Sequence, residues 1–463
     1  MVYSPRGSIL KLGVVDTSAG TERTEKVSIS RQLGKFMRVA FFEDRLATDF
    51  GSLALTRPVF ELVCGHYSLR ERLIRHWEID EWGAFVRNYL ADVYHEQHPE
   101  AHVNDLDWLT SDVTLLINGR WLPDPKSLDE LDFKSIGMCG DTPVYVVLTA
   151  EESLHLCDGT WETTLRQVAS ARRQTPAGGR VFRYPWDLIE HNPVQIRHDF
   201  ELSGCGNVLP EPHPQIACMG PPEWIHIRPT VQIDPFVVID ARNGPVSVDD
   251  GAVLQPFTRL EGPCHIGRET QLFRANIKAG TTLGPVCRVG GEIEAAIMIG
   301  YSNKYHDGFL GHSYVGAWCN LGANTLSSDL KVDYSPVRVP LNGISIDSGL
   351  KKVGCYIGDF TKTGIGALFN TGTSIGMMSL VLPSGDYTPR YVPSFCGVRG
   401  GELTPGLPFE RWLDTVRATL ERRGAEMTST QERLYRYLLQ ATKRDRDEAT
   451  LRYQGGRPAV SIS

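Results

Sequence analysis

G-Y-S-N-K-Y-H-D-G-F-L-G-H-S-Y-V-G-A-W-C-N-L-G-A-N, Gly300 to Asn324, lies inside a run where an aliphatic or β-branched residue returns at every sixth position. Upstream, Ile227, Ile233 and Ile239 keep that spacing, as do Val248, Leu254 and Leu260, then Ile277, Leu283 and Val289. Downstream it passes through Val315 and Leu321 and on through Ile357, Thr363, Phe369, Ile375 and Val381. A six-residue period fits neither a helix nor a simple alternating strand. It marks a hexapeptide parallel β-helix, in which each hexapeptide supplies one flat strand and one corner and three of them close a triangular coil. The periodic residue points inward, where only its copies in neighbouring coils keep it dry. Gly often follows it, as at Gly267, Gly316, Gly322, Gly358 and Gly376. These glycines read as corners, since positive φ costs Gly nothing. An all-β sandwich would alternate by two and turn more often, and fits worse.

The remaining composition narrows the function. With 463 residues the chain is long enough for two or three domains. A net charge of −7 gives no electrostatic case for nucleic acid or an acidic membrane as partner. Its ten cysteines stand singly, with no C-x-x-C pair, which predicts reduced thiols and a cytoplasmic protein. No apolar run approaches the length of a membrane span.

Taken in order, residues 1–36 are rich in Ser, Thr, Lys and Gly and read as a disordered extension. Residues 37–209 alternate strand and helix patterns: strands at Met37 to Phe42, Val113 to Asn118 and Val144 to Leu148, helical spacing at Phe60 to Leu73. That alternation predicts an α/β domain with a largely parallel sheet and ligands beyond the carboxyl ends of its strands. The Pro-rich residues 210–224 read as a linker and 225–400 as the β-helix. In 401–463, Phe409, Trp412, Leu413, Val416 and Leu420 return to helical spacing, and Ser429 with Glu432 forms a capping-box pattern ahead of a second helix. Beyond Lys443 the charge density predicts fraying.

Several separated tracts carry a resemblance. G-G-E-I-E, then G-Y-S-N-K-Y-H-D-G-F-L-G-H and W-C-N-L-G-A-N-T resemble the left-handed β-helix of bacterial bifunctional uridylyltransferase/acetyltransferases. L-T-R-P at Leu55 to Pro58, Y-P-W-D-L-I at Tyr184 to Ile189, K-T-G-I-G at Lys362 to Gly366 and Y-V-P-S-F at Tyr391 to Phe395 are similar to a divergent group of sugar nucleotidyltransferase-like proteins. The resemblance implies a Rossmann-like α/β nucleotidyltransferase domain followed by a left-handed coil, and a homotrimer. It also implies a UDP-N-acetylglucosamine type of chemistry. A sugar 1-phosphate would react with a nucleoside triphosphate (UTP or dTTP) and Mg²⁺, and an amino sugar phosphate with acetyl-CoA. Two rivals stand beside that reading: nucleotidyl transfer alone with the β-helix as a trimerisation column, and a non-catalytic sugar-nucleotide-binding protein.

Acyl transfer to an amine needs a base near neutrality and donors for the oxyanion. By the resemblance His306 is that base, Asn320 contacts ligand, and Lys278 and Lys352 hold the acceptor's phosphate. A second phosphate-binding lysine would fall at Ala295 or Ala296, and Lys304 is the cation placed to replace it. His312 reads as a structural corner, and His95 and His98 as a solvated helix. Nucleotidyl transfer needs phosphate-binding donors and carboxylates for Mg²⁺. Residues 44–52 stand where the resemblance expects a Gly-rich loop. Arg57 and Arg72 are the phosphate-binding candidates, and Asp44 the metal ligand. Asn118 stands where a second carboxylate is expected, and amides bind Mg²⁺ less well. Two carboxylates converging near Arg57 and Arg72 would favour an active transferase.

Overall fold

The computed structural model describes residues 38–128, 130–156, 161–203 and 214–455, so the expected extension over 1–36 lies outside the described residues. The front of the chain forms a sheet of seven strands: β1 (Arg38–Phe42), β2 (Trp82–Phe85), β3 (His102–Val103), β4 (Thr114–Asn118), β5 (Ile136–Cys139), β6 (Thr142–Leu148) and β7 (Gln174–Pro176). Their order is β7-β5-β6-β4-β1-β2-β3. At the centre β1 runs parallel to β2 and β4, while β6 runs antiparallel to β4 and β5. Phe41 and Phe42 leave opposite faces of β1, and each is buried in a different cluster. The helical spacing read at Phe60 to Leu73 yields helix α1 at Leu69–Trp77, capped by the Ser68 side chain.

From Ala217 the chain winds into a prism. Ala217–Met219 pairs in parallel with Val238–Asp240, inside the stretch read as linker. A first face stacks Val238–Asp240, Arg259–Glu261, residues 276–277 and 292–294, and Phe309–Gly311. A second face runs from Ile225–Ile227 through Thr281–Leu283 and Tyr314–Val315 to Tyr391–Val392. The third includes Val253–Leu254, Asn303–Lys304, Lys362–Thr363 and Leu380–Leu382. The result is a left-handed parallel β-helix. The six-residue aliphatics fill its axis: Val248, Leu254, Leu260, Ile277, Leu283 and Val289 are each 0% exposed. Leu260 sits over Ile277 and Ile266 over Leu283. Each such side chain stabilises the column by about 1.5–3 kcal/mol.

The corners invert the expectation. Glycines after the periodic residue keep ordinary φ, and it is the next coil that demands them. A Cβ on Gly284 would stand 1.8 Å from the Ile299 carbonyl, and one on Gly316 2.4 Å from the Asp359 carboxylate. The left-handed positions three residues after the inward one carry large side chains: Tyr301 (φ 55°), Trp318 (63°), Phe360 (60°), Met378 (47°) and Phe395 (64°). Left-handed backbone costs an L-residue about 1–2 kcal/mol. Here two compensations recur on successive coils. The Trp318 and Phe360 N–H groups donate to Gly300 and Ala317 carbonyls one coil back, at 3.2 and 2.9 Å. The rings also stack, Tyr301 on Trp318 at 4.3 Å and Trp318 on Phe360 at 6.2 Å.

The front domain lies along the second face, and the two share one core. Phe60, Trp186, Ile297, Tyr314, Tyr356 and Met377 belong to a single buried cluster. Helix α2 (Pro185–Leu202) carries the Tyr184 to Ile189 tract into this junction, with Asp187 accepting from the Arg183 and Tyr184 N–H groups. Its Asn192 donates to the Gly280 carbonyl at 2.8 Å and accepts from Gly65 N–H at 2.6 Å. The tract packs at the domain junction.

Three helices close the chain: α3 (Phe409–Glu421), α4 (Ser429–Ala441) and α5 (Lys443–Gly455). Trp412, Leu413, Val416, Leu434 and Leu438 are buried against the shared core. The capping box forms one residue earlier than read: Thr428 caps α4 with Gln431, because Glu432 is drawn off by Arg417 and Arg436. Past Lys443 the chain stays helical, stitched by Lys443–Asp447, Arg444–Glu448 and Arg452–Glu448 pairs.

Candidate functional site

Beyond the carboxyl ends of β1 and β2 lies a cleft of about 380 Å³, lined by Glu43, Asp44, Phe85, Arg87, Tyr89 and Trp161, with Tyr437 of α4 at its rim. Its aromatic side is layered: Trp161 stacks on Phe42 at 5.5 Å, and Tyr89 on Tyr437 at 5.0 Å. Neither Trp161 nor Tyr437 was singled out from the sequence; both are aromatic residues on helices, indistinguishable there from core.

The two carboxylates in this cleft are fully engaged. Asp44 Oδ1 accepts from Leu46 N–H at 3.1 Å and Arg120 Nε at 2.7 Å, and Oδ2 from Asn118 Nδ2 at 3.0 Å and an Arg120 Nη. Glu43 accepts from Val59 N–H at 2.8 Å and from Arg87 through backbone, Nε and Nη2. A carboxylate has about four acceptor positions, so neither residue has one left for a cation. Among the described residues no group of three His, Cys, Asp or Glu side chains is placed to hold a metal ion. Asp44 therefore does not fit the Mg²⁺ role; it caps the segment after β1 and neutralises Arg120, whose Nη1 donates to the Phe182 carbonyl at 2.7 Å.

Arg57 and Arg72 are likewise structural. The Arg72 guanidinium meets Asp199 of α2 through Nε and Nη2, both at 2.8 Å, with side chains 2% and 0% exposed. Arg57 forms a fork with Asp359 of the prism, which also accepts from Thr56 Oγ1 at 2.6 Å and Ala317 N–H at 2.8 Å. Two carboxylates do converge on these arginines. They come as ion-pair partners that pin domains together, not as metal ligands.

On the prism, His306 stands at the corner between the third and first faces. Its exposed ring touches the edge of Tyr305 at 4.9 Å, and its nitrogens have no hydrogen-bond partner among the described residues. Lys304, two residues before, is 1% exposed and occupies an axial position over Val289. Its Nζ donates to the Gly290 carbonyl at 3.2 Å and the His306 carbonyl at 2.6 Å. Burial pushes this ammonium down to about 8. Lys304 thus holds the corner from inside and does not face a substrate.

Lys278 and Lys352 come together across the first face, joined by a glutamate. Lys278 Nζ lies 3.1 Å from Glu292 and 3.5 Å from Glu294, and Lys352 Nζ 3.1 Å from Glu294. Burial acts to raise the Glu294 carboxyl, and Lys352 and Lys278 overcome it and hold it below the usual range. A bound phosphate has to displace that carboxylate. The strand Phe309–Gly311 separates this cluster from His306, roughly 10 Å along the chain. Asn320 lies on the third face, beside Asn303, whose Nδ2 donates to it at 3.3 Å. The His306 corner therefore stands between the lysine cluster and the asparagine. His312, at positive φ, pairs with Asp329 at 2.7 Å and is a structural corner.

Residues 39–206 match the family model described as sugar nucleotidyl transferase. The bifunctional protein GlmU of one Methanococcus maripaludis strain is 39% identical over 90 residues, 19% of this chain and 22% of that protein. GlmU of a second strain is 34% identical over 141 residues, 30% of this chain and 34% of that protein. An uncharacterized acetyltransferase of Escherichia coli, YaiX, is 29% identical over 193 residues, 35% of this chain and 75% of that protein. The chain thus spans about a third or less of the length of the GlmU proteins it matches.

Proposed function

We propose that this chain is a transferase of sugar-nucleotide biosynthesis. Its β-helix acetylates an amino sugar phosphate from acetyl-CoA, and its front domain joins a sugar 1-phosphate to UTP or dTTP. The observation that carries the acyl-transfer half is the corner itself. An exposed imidazole, unbonded and on a rigid coil, is flanked on one face by lysines and on the other by an amide. The likeness of parts of the chain to bifunctional GlmU and to an acetyltransferase supports the same reading.

In that reaction His306 takes the proton the amine loses as its nitrogen attacks the thioester carbonyl; the C–N bond forms, the C–S bond breaks, and the proton passes on to the departing coenzyme A thiolate. A neutral imidazole suits this near pH 7. The sugar phosphate exchanges with Glu294 for Lys278 and Lys352, which orients the amine. Asn320 and backbone N–H groups meet the thioester. The buried Lys304 keeps the His306 carbonyl, and so the ring, in one place. Glu43 and Asp44 do not hold Mg²⁺, because neither has an acceptor to offer it.

We propose a homotrimer as the working assembly. The front domain covers the second face and α3 lies on the third, so the first face is left for a second copy. Among the described residues no helix is long and apolar enough to cross a membrane, and eight cysteines are free; this supports action in the cytoplasm.

The test is product analysis by mass spectrometry. With acetyl-CoA and glucosamine 1-phosphate, His306→Ala should abolish acetylation and leave assembly intact; undiminished acetylation removes His306 from the reaction. For the front domain one observation favours a second reading, in which it binds a sugar nucleotide without making it: both cleft carboxylates are saturated. Product from UTP, Mg²⁺ and a hexose 1-phosphate would dismiss that alternative, and tight binding without turnover would establish it.

A further inference from the structure

We propose that the groove between the third face of the prism and helix α3 is a binding site for a phosphorylated ligand, of the diphosphate class. This goes beyond the acyl-transfer reading and does not depend on His306; with a diphosphate in the groove Asn320 serves that ligand, and backbone N–H groups alone meet the thioester. The groove has a volume of about 210 Å³ and is lined by Tyr301, Asn303, Trp318, Asn320, Lys362, Arg422 and Arg423, with Thr415 and Thr419 of α3 opposite. No carboxylate lines it.

The row of ligand-facing residues is built by the coil repeat. Asn303 lies beside Asn320, and Asn320 beside Lys362, on successive coils, each step roughly 4.8 Å. Donors therefore recur along the groove at a spacing that suits successive phosphate oxygens. Arg422 and Arg423 close it from the end of α3.

These cations lack the partners given to others. Lys362 Nζ has one bond, to the Trp318 carbonyl at 2.9 Å. The Arg422 guanidinium has no hydrogen bond or ion pair among the described residues. Arg423 donates from Nη2 to Asn303 Oδ1 at 3.0 Å and from Nη1 to the Arg422 carbonyl at 3.4 Å, while its Nε is buried without a partner. Asn320 accepts from Asn303, and its own Nδ2 has no partner among the described residues. Burial pushes the Lys362 ammonium down to about 8, and the nearby Arg422 charge adds to the effect. Arginines at a helix C-terminus complement its dipole, which accounts for Arg422 or Arg423 alone. It leaves unexplained a lysine and two amides aimed at the same space from the prism. Like charges converging in a partly buried groove repel one another until an anion enters.

Two sources offer that chemistry: the diphosphate of coenzyme A and that of a nucleoside triphosphate. The experiment is calorimetric titration of the full chain with inorganic pyrophosphate in EDTA, then displacement by free coenzyme A or by UTP. Pyrophosphate should bind, less tightly as salt rises. Arg422→Ala and Lys362→Met should each weaken it about tenfold, the loss of one charge-assisted contact. Arg422 is exposed, so its variant should unfold at the wild-type midpoint. Whichever of coenzyme A and UTP displaces pyrophosphate names the source. Absence of pyrophosphate binding, binding by both variants as tight as by the wild type, or displacement by neither compound overturns the assignment.

Discussion

The front cleft and the α3 groove are built from the same residue types and end in opposite electrostatic states. In the front domain Arg57, Arg72, Arg87 and Arg120 each close on a carboxylate, respectively Asp359, Asp199, Glu43 and Asp44. In the groove Lys362, Arg422 and Arg423 close on none. The first arrangement is a set of girders; the second leaves charge for a visitor. A basic residue is thus informative about binding only once its partner is known, and partners come from far along the chain. Asp199 is 127 residues from Arg72, and Asp359 is 302 from Arg57.

The largest effect should come from breaking a girder. Arg72→Met leaves Asp199 buried and unpaired, and should lower unfolding stability by about 3–5 kcal/mol, measured by denaturant titration. A loss below ~1 kcal/mol would show that the two regions differ less than the geometry says.

Next is acid. At the domain junction His66 stacks on His265 at 4.0 Å, and Ser247 Oγ bridges them at 3.2 and 2.9 Å. Burial, then mutual repulsion and Arg72, hold His66 well below its ordinary range; burial lowers His265 against the opposing pull of Asp249. His226 also faces the pair. Both pKa values are depressed on folding, so the unfolded chain binds more protons below about pH 6.5. Stability should be complete above that value and fall progressively below it, and His66→Phe should flatten the fall in a pH series of unfolding midpoints.

Inside the prism the comparison can be sharpened by Lys304→Met. The ammonium's burial opposes folding at neutral pH, so the variant should unfold no earlier than wild type at pH 7. Acetylation should nevertheless drop about tenfold, because the His306 carbonyl loses its anchor. Reduced stability with unchanged turnover would count against the positioning role. Smallest of all is Glu448→Ala, which removes exposed partners of Arg444 and Arg452; it should shift stability by under ~0.5 kcal/mol.

The prism was legible because its period is set by backbone geometry, and every coil repeats the message. Lys304 was legible too, lying six residues before Leu310 and therefore on the axis, yet its charge drew attention toward substrate. The corners misled because two constraints, close backbone approach and left-handed φ, fall on different residues. Gly284 answers the first and Trp318 the second. The proposal for His306 rests on a local match of sequence and on its exposed corner. The groove needed α3, and nothing in the spacing of Trp412, Val416 and Leu420 says which face of the prism they will meet.

The shared core has a practical corollary for anyone dissecting the chain. Cut at the junction, the prism would bare a stripe of Ile297, Tyr314 and Tyr356, and the sheet domain would bare Phe60 and Trp186. Neither half would be expected to stay in solution by itself, so the two proposed chemistries have to be told apart by point substitution rather than by scissors.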